Sequence, residues 1–218
     1  ALLTYLTGII NVTASKIIFR NSSPSMAMIH TWSGGDNAHI SLTATCSFGS
    51  CGSSGSTVPS GAVTPSSTSG FGSVLDPSNI GIYFVDNNGP NFDSVAQQTT
   101  VKLMAQNSAI VFERNNNSNG GALDHSSTLL TISGATVMFA NNSASQTGGA
   151  IRIGSSGADS IFSTVSDLRF LYNKAAVSGC AIAFTSGCTT TINSGSSITY
   201  SGNAFSAFNA SRVCSIDD

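Results

Sequence analysis

The sequence predicts an all-β protein, a parallel β-helix in which short strands stack as successive coils of one solenoid. Three observations support this fold class. An aromatic residue returns at near-constant spacing, an asparagine follows it three residues later, and a Gly-Gly-Ala-aliphatic turn comes after the asparagine. The aromatic residues are Phe112, Phe139, Phe170 and Tyr200, separated by 27, 31 and 30 residues. Such repeats are typical of solenoids, whose units bury a core only by stacking.

Each copy of the repeat begins with a strand that has one buried face. A branched aliphatic residue stands two positions before each aromatic residue, and alternation of period two indicates a half-buried strand. The pairs are Ile110/Phe112, Val137/Phe139, Leu168/Phe170 and Ile198/Tyr200, with Ile17/Phe19 as a fifth near the N-terminus. The residue between the two members of a pair points outward. It varies from Ile18 through Val111 and Met138 to Arg169 and Thr199, so we expect the outward face to tolerate charge.

Turn residues follow each of these strands. An asparagine can adopt left-handed backbone and bond its own turn, and equivalent asparagines in stacked coils can bond one another as a ladder. The candidates are Asn115, Asn142, Asn173 and Asn203. The pairs Gly120-Gly121, Gly148-Gly149 and Ser178-Gly179 then offer backbone positions where a positive φ is free. Ala-Leu or Ala-Ile begins the next strand at 122, 150 and 181, and further apolar runs at 128–133, 160–165 and 189–193 complete each unit.

The organisation along the chain follows from these repeats. We expect one β-helical domain over 1–218, either a mature protein or a segment of a longer chain, with its clearest copies at 108–203 and a degenerate copy at 14–29. A Ser/Gly/Thr/Pro-rich stretch at 47–75 lacks a strand pattern and is predicted to be a long surface loop in the N-terminal half. A strand resumes at 79–89 and ends in the turn signal Asn88-Gly89. An antiparallel sandwich or jelly roll would also give short strands and turns, but not the same residue types at spacings of 27–31.

Composition restricts the partners. Charged residues make up only 8% of the 218 residues, and the formal net charge is −2. Eight Lys and Arg residues spread along the chain form no basic patch, so we expect neither a nucleic-acid partner nor an anionic membrane surface. No apolar stretch approaches the roughly 18–20 residues that cross a bilayer, so we expect no membrane span in this segment.

The cysteines indicate an oxidising compartment. Cys46 and Cys51 flank one short loop, and Cys180 and Cys188 flank another, so two local disulfides are predicted. Cys214 is left over and is a candidate for an intermolecular link. A structural zinc site needs four ligands at short spacings, which the sequence lacks.

Five Asn-X-Ser/Thr sequons support secretion. They lie at Asn11, Asn21, Asn116, Asn141 and Asn209. Together with the loop-sized cysteine pairs they favour an extracellular eukaryotic glycoprotein. A bacterial surface protein with accidental sequons remains an open alternative.

Candidate chemistry is sparse. Asp124 and Arg152 occupy nearly equivalent outward places in successive copies and are expected to form an ordinary exposed ion pair. The stretch HTWSGGDNAH at 30–39 gathers the residues His30, Trp32, Asp36 and His39. The favoured interpretation is a surface loop without a specific role. Sugar contact through Trp32 and metal binding are weaker alternatives, and the spacing of the two histidines matches no metal-ligand pattern. We therefore assign no catalytic, cofactor or metal residues.

The order F-x-x-N followed by G-G-A-[ILV] resembles the repeat of chlamydial polymorphic outer membrane proteins, which is also similar to repeats in large extracellular proteins of algae and other protists. Copies at 112–123 and 139–151 carry both motifs in full, and in the third copy Cys180 replaces the second glycine. The resemblance covers roughly 108–203. It implies a right-handed parallel β-helix displayed on a cell surface, with an adhesive or structural role. The sequons favour an algal or protist extracellular member over a chlamydial autotransporter.

The expected function is a non-enzymatic, extracellular structural or adhesive module, a building block of a wall, a sheath or a mastigoneme-like filament. Its expected partners are further copies of itself, other extracellular structural proteins and glycans. A polysaccharide-binding or polysaccharide-cleaving β-helix is the main alternative. Ice binding by rows of threonine, suggested by 128, 131 and 189–191, is a weaker one.

Overall fold

The computed structural model describes residues 2–5, 9–20, 29–32, 39–45, 81–89, 92–94, 100–125, 129–154, 159–162, 164–184, 189–192 and 196–205. These residues form twenty strands. The first ten are β1 Leu2–Tyr5, β2 Ile9–Ala14, β3 Lys16–Arg20, β4 Ile29–Trp32, β5 His39–Ala44, β6 Gly81–Val85, β7 Phe92–Ser94, β8 Thr100–Glu113, β9 Asn116–Asn117 and β10 Leu123–His125. The other ten are β11 Leu129–Ala140, β12 Ser143–Ala144, β13 Ile151–Ile153, β14 Asp159–Phe162, β15 Asp167–Leu171, β16 Lys174–Ala175, β17 Ile182–Phe184, β18 Thr189–Ile192, β19 Ser197–Ser201 and β20 Ala204–Phe205. Over these ranges there is no helix, and so none long and apolar enough to cross a membrane.

The strands stack in parallel, each on the equivalent strand of the coil before it. One column runs β2-β5-β8-β11-β14-β18, and a second runs β3-β6-β8-β11-β15-β19. The long strands β8 and β11 belong to both columns, so the two form one ten-stranded sheet. Smaller parallel sheets β1-β4-β7, β10-β13-β17 and β9-β12-β16-β20 make the remaining walls. The predicted all-β parallel β-helix is confirmed.

The aromatic residues form an interior stack. Phe19, Phe84, Phe112, Phe139 and Phe170 follow one another with ring centroids 4.7–5.1 Å apart and planes within 6°. This distance is close to the strand spacing of about 4.7–4.9 Å in a sheet. The backbone repeat therefore sets the ring separation. Tyr200 continues the column but is tilted by 47° at 6.3 Å.

The sequence analysis missed one copy of the F-x-x-N motif. Phe84 belongs to the aromatic stack, and Asn87 follows it by three residues, so β6 carries the same F-x-x-N signature as the later copies. Phe84 lies 28 residues before Phe112, within the repeat spacing, but no Gly-Gly-Ala turn follows Asn87. The distance from Phe19 to Phe84 is far larger than the repeat, because the chain between β5 and β6 is much longer than in the other coils.

That extra chain is inserted at a single point. The backbone N–H of Thr45 donates to Ala14 O at 3.0 Å, and that of Gly81 donates to Ser15 O at 3.2 Å. Because Ala14 and Ser15 are consecutive, residues 46–80 leave and rejoin the coil between two neighbouring backbone positions. The predicted loop at 47–75 lies outside the described residues, within this insertion.

The left-handed turn residue is not the ladder asparagine, so that part of the prediction is wrong. Positive φ falls one residue earlier in each copy, just before the asparagine. The residues are Asp86, Arg114, Asn141 and Tyr172 with φ of 51–56°, and Gly202 with φ of 68°. The asparagine side chain is used for bonds between coils, and the residue before it reverses the chain direction.

The two glycines of each Gly-Gly pair have different roles. The first glycine takes a positive φ, at Gly120, Gly148 and Gly179. Gly179 is thus the equivalent of Gly148, which confirms the alignment in which Cys180 replaces the second glycine, and Ser178 pairs with Thr147 and is not part of the glycine pair. The second glycine is needed for space, because a Cβ at Gly149 would overlap the carbonyl oxygen of Cys180 in the next coil.

Replacing Gly149 with alanine should therefore destabilise the fold by about 3 kcal/mol or more, since the obstacle is backbone that cannot move aside. The matched control is Gly134→Ala, whose Cβ would stand 3.2 Å from Ser108 O and cost much less. Urea unfolding followed by circular dichroism measures both. Equal losses for the two variants would contradict this role of Gly149.

Candidate functional site

A ladder of buried asparagines runs along one corner of the coil. Its members are Asn87, Asn115, Asn142, Asn173 and Asn203, all at most 7% exposed. The Nδ2 of each of the first four donates to Oδ1 of the next, at 2.9–3.0 Å. The backbone N–H of each donates to the same oxygen at 2.9–3.2 Å. Four of the five were singled out from the sequence, and Asn87 was missed.

Each ladder amide also ties its own coil to the one before. The Nδ2 of Asn142 donates to Phe112 O at 3.0 Å, and Asn173 makes the same bond to Phe139 O. Both amide hydrogens and the side-chain oxygen of Asn142 are therefore satisfied inside the protein. A buried amide that makes all its bonds stabilises, whereas one that loses a partner costs about 1–3 kcal/mol.

The ladder is open at its last described rung. Asn203 Nδ2 donates to Phe170 O at 2.9 Å, and its Oδ1 accepts from Asn173. The backbone N–H and the second amide hydrogen of Asn203 have no acceptor among the described residues. At every earlier rung these two donors converge on the Oδ1 of the following asparagine.

A second apolar layer covers the outer side of the sheet, where we expected charge to be tolerated. That expectation is wrong for β8 and β11, because Val111 and Met138 point outward yet are at most 1% exposed. They cluster with Tyr83, Val85, Ala109 and Ala140. Burial raises the pKa of Tyr83 to about 12. The layer ends in the flanking coils, where Ile18 is 43% exposed and Arg169 pairs with Asp167 at 2.7 Å.

One carboxyl group lies inside this outer layer. Glu113 is fully buried between Val85 and Ala140 of the neighbouring strands, and its Oε2 has no hydrogen-bond partner. Its Oε1 accepts from Arg114, which also donates to both carboxylate oxygens of Asp86 at 2.6 and 3.0 Å. Arg114 thus bridges a buried carboxyl and a partly exposed one.

The environment of Glu113 shifts its titration. Burial raises the pKa of its carboxyl from an ordinary value of 4.5 to about 7, while the Arg114 charge lowers it and the Asp86 charge raises it. The hydrogen bond to Asp86 raises the pKa of Arg114. A group that changes charge near neutral pH is typical of functional sites, but the burial of Glu113 withholds it from a large substrate such as a polysaccharide.

The pair Asp124 and Arg152 does form, although it is less exposed than we expected. The two residues are in direct register on β10 and β13, and Nε of Arg152 lies 2.8 Å from Oδ1 of Asp124. The side chains are only 25% exposed for Arg152 and 19% for Asp124. The pair bridges consecutive coils, and we interpret it as a contact that stabilises their stacking.

The stretch at 30–39 is divided between two sheets. His30 and Trp32 belong to β4 of the three-stranded sheet, and His39 begins β5 of the large one. Asp36 lies outside the described residues. The backbone thus puts the two histidines on different walls of the coil.

The remaining predicted residues divide into described and undescribed ones. Asn11 and Asn116 are exposed, and Asn141 is partly exposed. Cys180 is completely buried and is not free, but its predicted partner Cys188 is not described. Asn21, Cys46, Cys51, Asn209 and Cys214 also lie outside the described ranges.

Threonines do not align in rows on the described outer face. The column through Asn11 continues as Ser41, Lys102, Thr131, Ile161 and Thr191, and that through Thr13 as Thr43, Met104 and Ser133. A regular threonine surface would need the same residue in every coil. The columns in these described strands do not form such a surface.

Within the described ranges, no group of three or more His, Cys, Asp or Glu residues is placed to hold a metal ion. Comparisons of the chain with protein-family models, with curated proteins and with solved structures find no match. The arrangement itself is one in which polar groups join neighbouring coils.

Replacing Asn142 with aspartate should destabilise the fold by about 3–5 kcal/mol, because a buried carboxylate would face Phe112 O and Asn173 Oδ1 without donors. The matched control is Asn116→Asp, on the unglycosylated protein, since that exposed amide makes a single 3.2 Å bond to Asn88. The control should lose under about 0.5 kcal/mol. Chemical unfolding compares the two, and similar losses would show that the ladder contributes nothing special.

Glu113 should make stability depend on pH. In the folded chain the Glu113 carboxyl keeps its proton up to about pH 7, whereas in the unfolded chain it loses that proton near pH 4.5. Between these values the folded state binds more protons, so the free energy of unfolding falls as the pH rises and then levels off above about 7. The expected loss is about 3 kcal/mol.

Glu113→Gln should remove this loss and stabilise the protein at pH 8, while keeping an oxygen that Arg114 can bond. The control Asp167→Asn, which alters a partly exposed carboxylate, should keep the wild-type profile. Unfolding midpoints measured from pH 4 to pH 8 provide the test. An unchanged slope in Glu113→Gln would contradict the assignment.

Proposed function

We propose that this chain is a non-enzymatic, extracellular structural or adhesive β-helix module, a building block of a cell-surface or filamentous glycoprotein assembly. The observation that carries the proposal is the single apolar core, which runs through all the described coils and makes them one continuous parallel stack. The residues that are only partly buried against this core include Val12, Ala14 and Phe19 in the first described coil and Ile182, Ile192 and Tyr200 in the last described coil.

Exposed apolar side chains in the last described coil favour association. Ile198 is 48% exposed and Phe184 is 47% exposed. Large apolar side chains left in solvent are more typical of an interaction surface than of a surface that stays in water.

The side walls are consistent with a scaffold displayed outside the cell. Asn11 on β2 and Asn116 on β9 are exposed, so both sequons are accessible to glycosylation. The resemblance to polymorphic outer membrane protein repeats supports a surface role, and the sequons support an algal or protist member of that group. Disulfides Cys46–Cys51 and Cys180–Cys188, with Cys214 as a link between chains, belong to the same proposal.

Secretion from a eukaryotic host tests the glycoprotein part. We expect removal of N-glycans to lower the mass of the wild-type chain, and Asn11→Gln and Asn116→Gln each to abolish one glycan without changing the circular dichroism spectrum. Site mapping by mass spectrometry gives the occupancy. A chain that passes through the secretory pathway with neither site occupied would contradict this part of the proposal.

The scaffold role is tested by the state of the full chain in solution. We expect sedimentation velocity to show species that grow with concentration, and negative-stain electron microscopy to show elongated particles. Screening the same sample against acidic and neutral polysaccharides addresses the alternative function. A chain that stays monomeric at every concentration and binds none of the polysaccharides would overturn the proposal. A chain that releases reducing ends from a polysaccharide would overturn it in favour of an enzyme.

A further inference from the structure

We propose that Asn141 carries an N-linked glycan whose first sugar packs against the ring of Tyr172, the equivalent residue of the next coil. The inference rests on the proposed glycoprotein role, to which it adds one attachment site and the surface that receives the sugar. The sequon Asn141-Asn142-Ser143 lies at the corner where β11 ends and the asparagine ladder begins. This corner therefore joins a glycan-bearing residue to an aromatic one.

Asn141 and Tyr172 are direct neighbours in adjacent coils. Ala140 pairs with Leu171 immediately before them, and the backbone N–H of Asn141 donates to Leu171 O at 2.9 Å. The two residues have φ angles of 55° and 56°. Because the backbone conformation is the same, their side chains leave it in the same direction, separated by the strand spacing of about 4.7–4.9 Å.

The backbone conformation of Tyr172 is unusual for its residue type. A positive φ is uncommon outside glycine, asparagine and aspartate, and for a bulky side chain it is strained. Strained conformations of this kind cluster at functional sites, where the surrounding structure holds them. At this corner the conformation directs an aromatic side chain to the outside of the coil, where Tyr172 is partly exposed beside Asn141.

Gly202 in the following coil fixes the position of the Tyr172 ring. A Cβ on Gly202 would overlap Cδ1 and Cε1 of Tyr172, so the ring lies directly over the glycine backbone. The ring thus leans toward Gly202, and its other face is turned to the side of Asn141. A sugar attached to Asn141 can meet that face at the usual contact distance between carbon atoms, about 3.5–4.0 Å.

The amide of Asn141 is available for attachment. Nδ2 of Asn142 donates within the ladder, whereas the Asn141 side chain makes no hydrogen bond with any residue that the structure describes. The sequon at Asn116 differs in this respect, because its Nδ2 donates to Asn88 Oδ1 at 3.2 Å. A glycan on Asn141 therefore displaces no hydrogen bond between described residues.

Attachment and packing both follow from ordinary chemistry. Nδ2 of Asn141 loses one proton and bonds to the anomeric carbon of a lipid-linked oligosaccharide, whose lipid pyrophosphate leaves with the electron pair of the broken bond. One face of a sugar ring presents C–H groups, which are apolar and weakly positive, and the face of an aromatic ring is negative. Packing the first sugar on Tyr172 therefore stabilises the folded chain and fixes the direction of the glycan along the corner.

A double-mutant cycle on the full chain, secreted by a eukaryotic host, tests this contact. Ser143→Ala removes the sequon without changing Asn141, and it should lower the thermal unfolding midpoint by about 2–4 °C. In a Tyr172→Asn background, which keeps a residue that tolerates positive φ but lacks the ring, Ser143→Ala should have no effect. In a Tyr172→Phe background, which keeps the ring, the loss should return.

Nuclear magnetic resonance gives a second measurement that does not depend on stability. With the glycan on Asn141 trimmed to its first sugar, the C–H protons of that sugar should move upfield through the ring current of Tyr172. The shift should persist in Tyr172→Phe and disappear in Tyr172→Asn. The same chain made in a bacterial host that does not glycosylate controls for any effect of Ser143→Ala on the protein itself.

Mass spectrometry of glycopeptides separates the outcomes. A glycan on Asn141 that shows both the ring-dependent midpoint and the upfield shift supports the inference. Glycans at Asn11 or Asn116 with none at Asn141, equal midpoint losses with and without the ring, or unshifted sugar protons would overturn it and leave the glycoprotein role standing. A secreted chain with no glycan at any sequon would overturn both.

Discussion

The spacing between stacked strands governs the rest of this structure. Every side chain in a column must accept its own equivalent about 4.7–4.9 Å away on either side. Flat rings satisfy this by lying parallel, and Phe84, Phe112 and Phe139 do so within 4°. Asparagine satisfies it because one group carries both donors and an acceptor, so each copy can donate forward and accept from behind. Glycine satisfies it where two backbones approach too closely for any side chain, as at Gly149.

These local solutions explain why much of the fold could be predicted from the sequence. A residue type that stacks well on itself returns in each coil, so the aromatic and asparagine columns are visible as a repeat before any coordinates. The assignment failed where only half of the repeat signature is present. Phe84 and Asn87 lie 28 residues before Phe112 and Asn115, within the spacing of the other copies, but no Gly-Gly-Ala turn follows them. A search for F-x-x-N alone at this interval would have found them.

Other features could not be read from the sequence, for physical reasons. Alternation shows that a strand has two faces, but it does not show whether the outer face is covered, so the burial of Met138 and Glu113 was not foreseen. The turn geometry was also ambiguous. Both Asn141 and Asn142 are residue types that tolerate a positive φ, and only the hydrogen bonds of the ladder assign the left-handed position to Asn141. Where Arg114 or Tyr172 takes that position, residue type gives no hint at all.

The regular stacking that makes the fold predictable from the sequence also gives different parts of the coil different roles. Interior columns fix the coil, and the outer layer adds a titratable group. The charges of Asp124 and Arg152 pair with each other across adjacent coils, so they serve the packing of the coil. A sequence with few charges can therefore still have a well-ordered polar network, provided that amides replace ion pairs.

The single-point insertion has a consequence for how such a chain can change. Because residues 46–80 depart and return beside consecutive carbonyls, those of Ala14 and Ser15, the winding of the coil is independent of how many residues lie between. The entropy of closing such a loop rises only slowly with its length. Lineages could lengthen, shorten or exchange this segment without rewinding the spiral, and a foreign domain with adjacent termini could be grafted there.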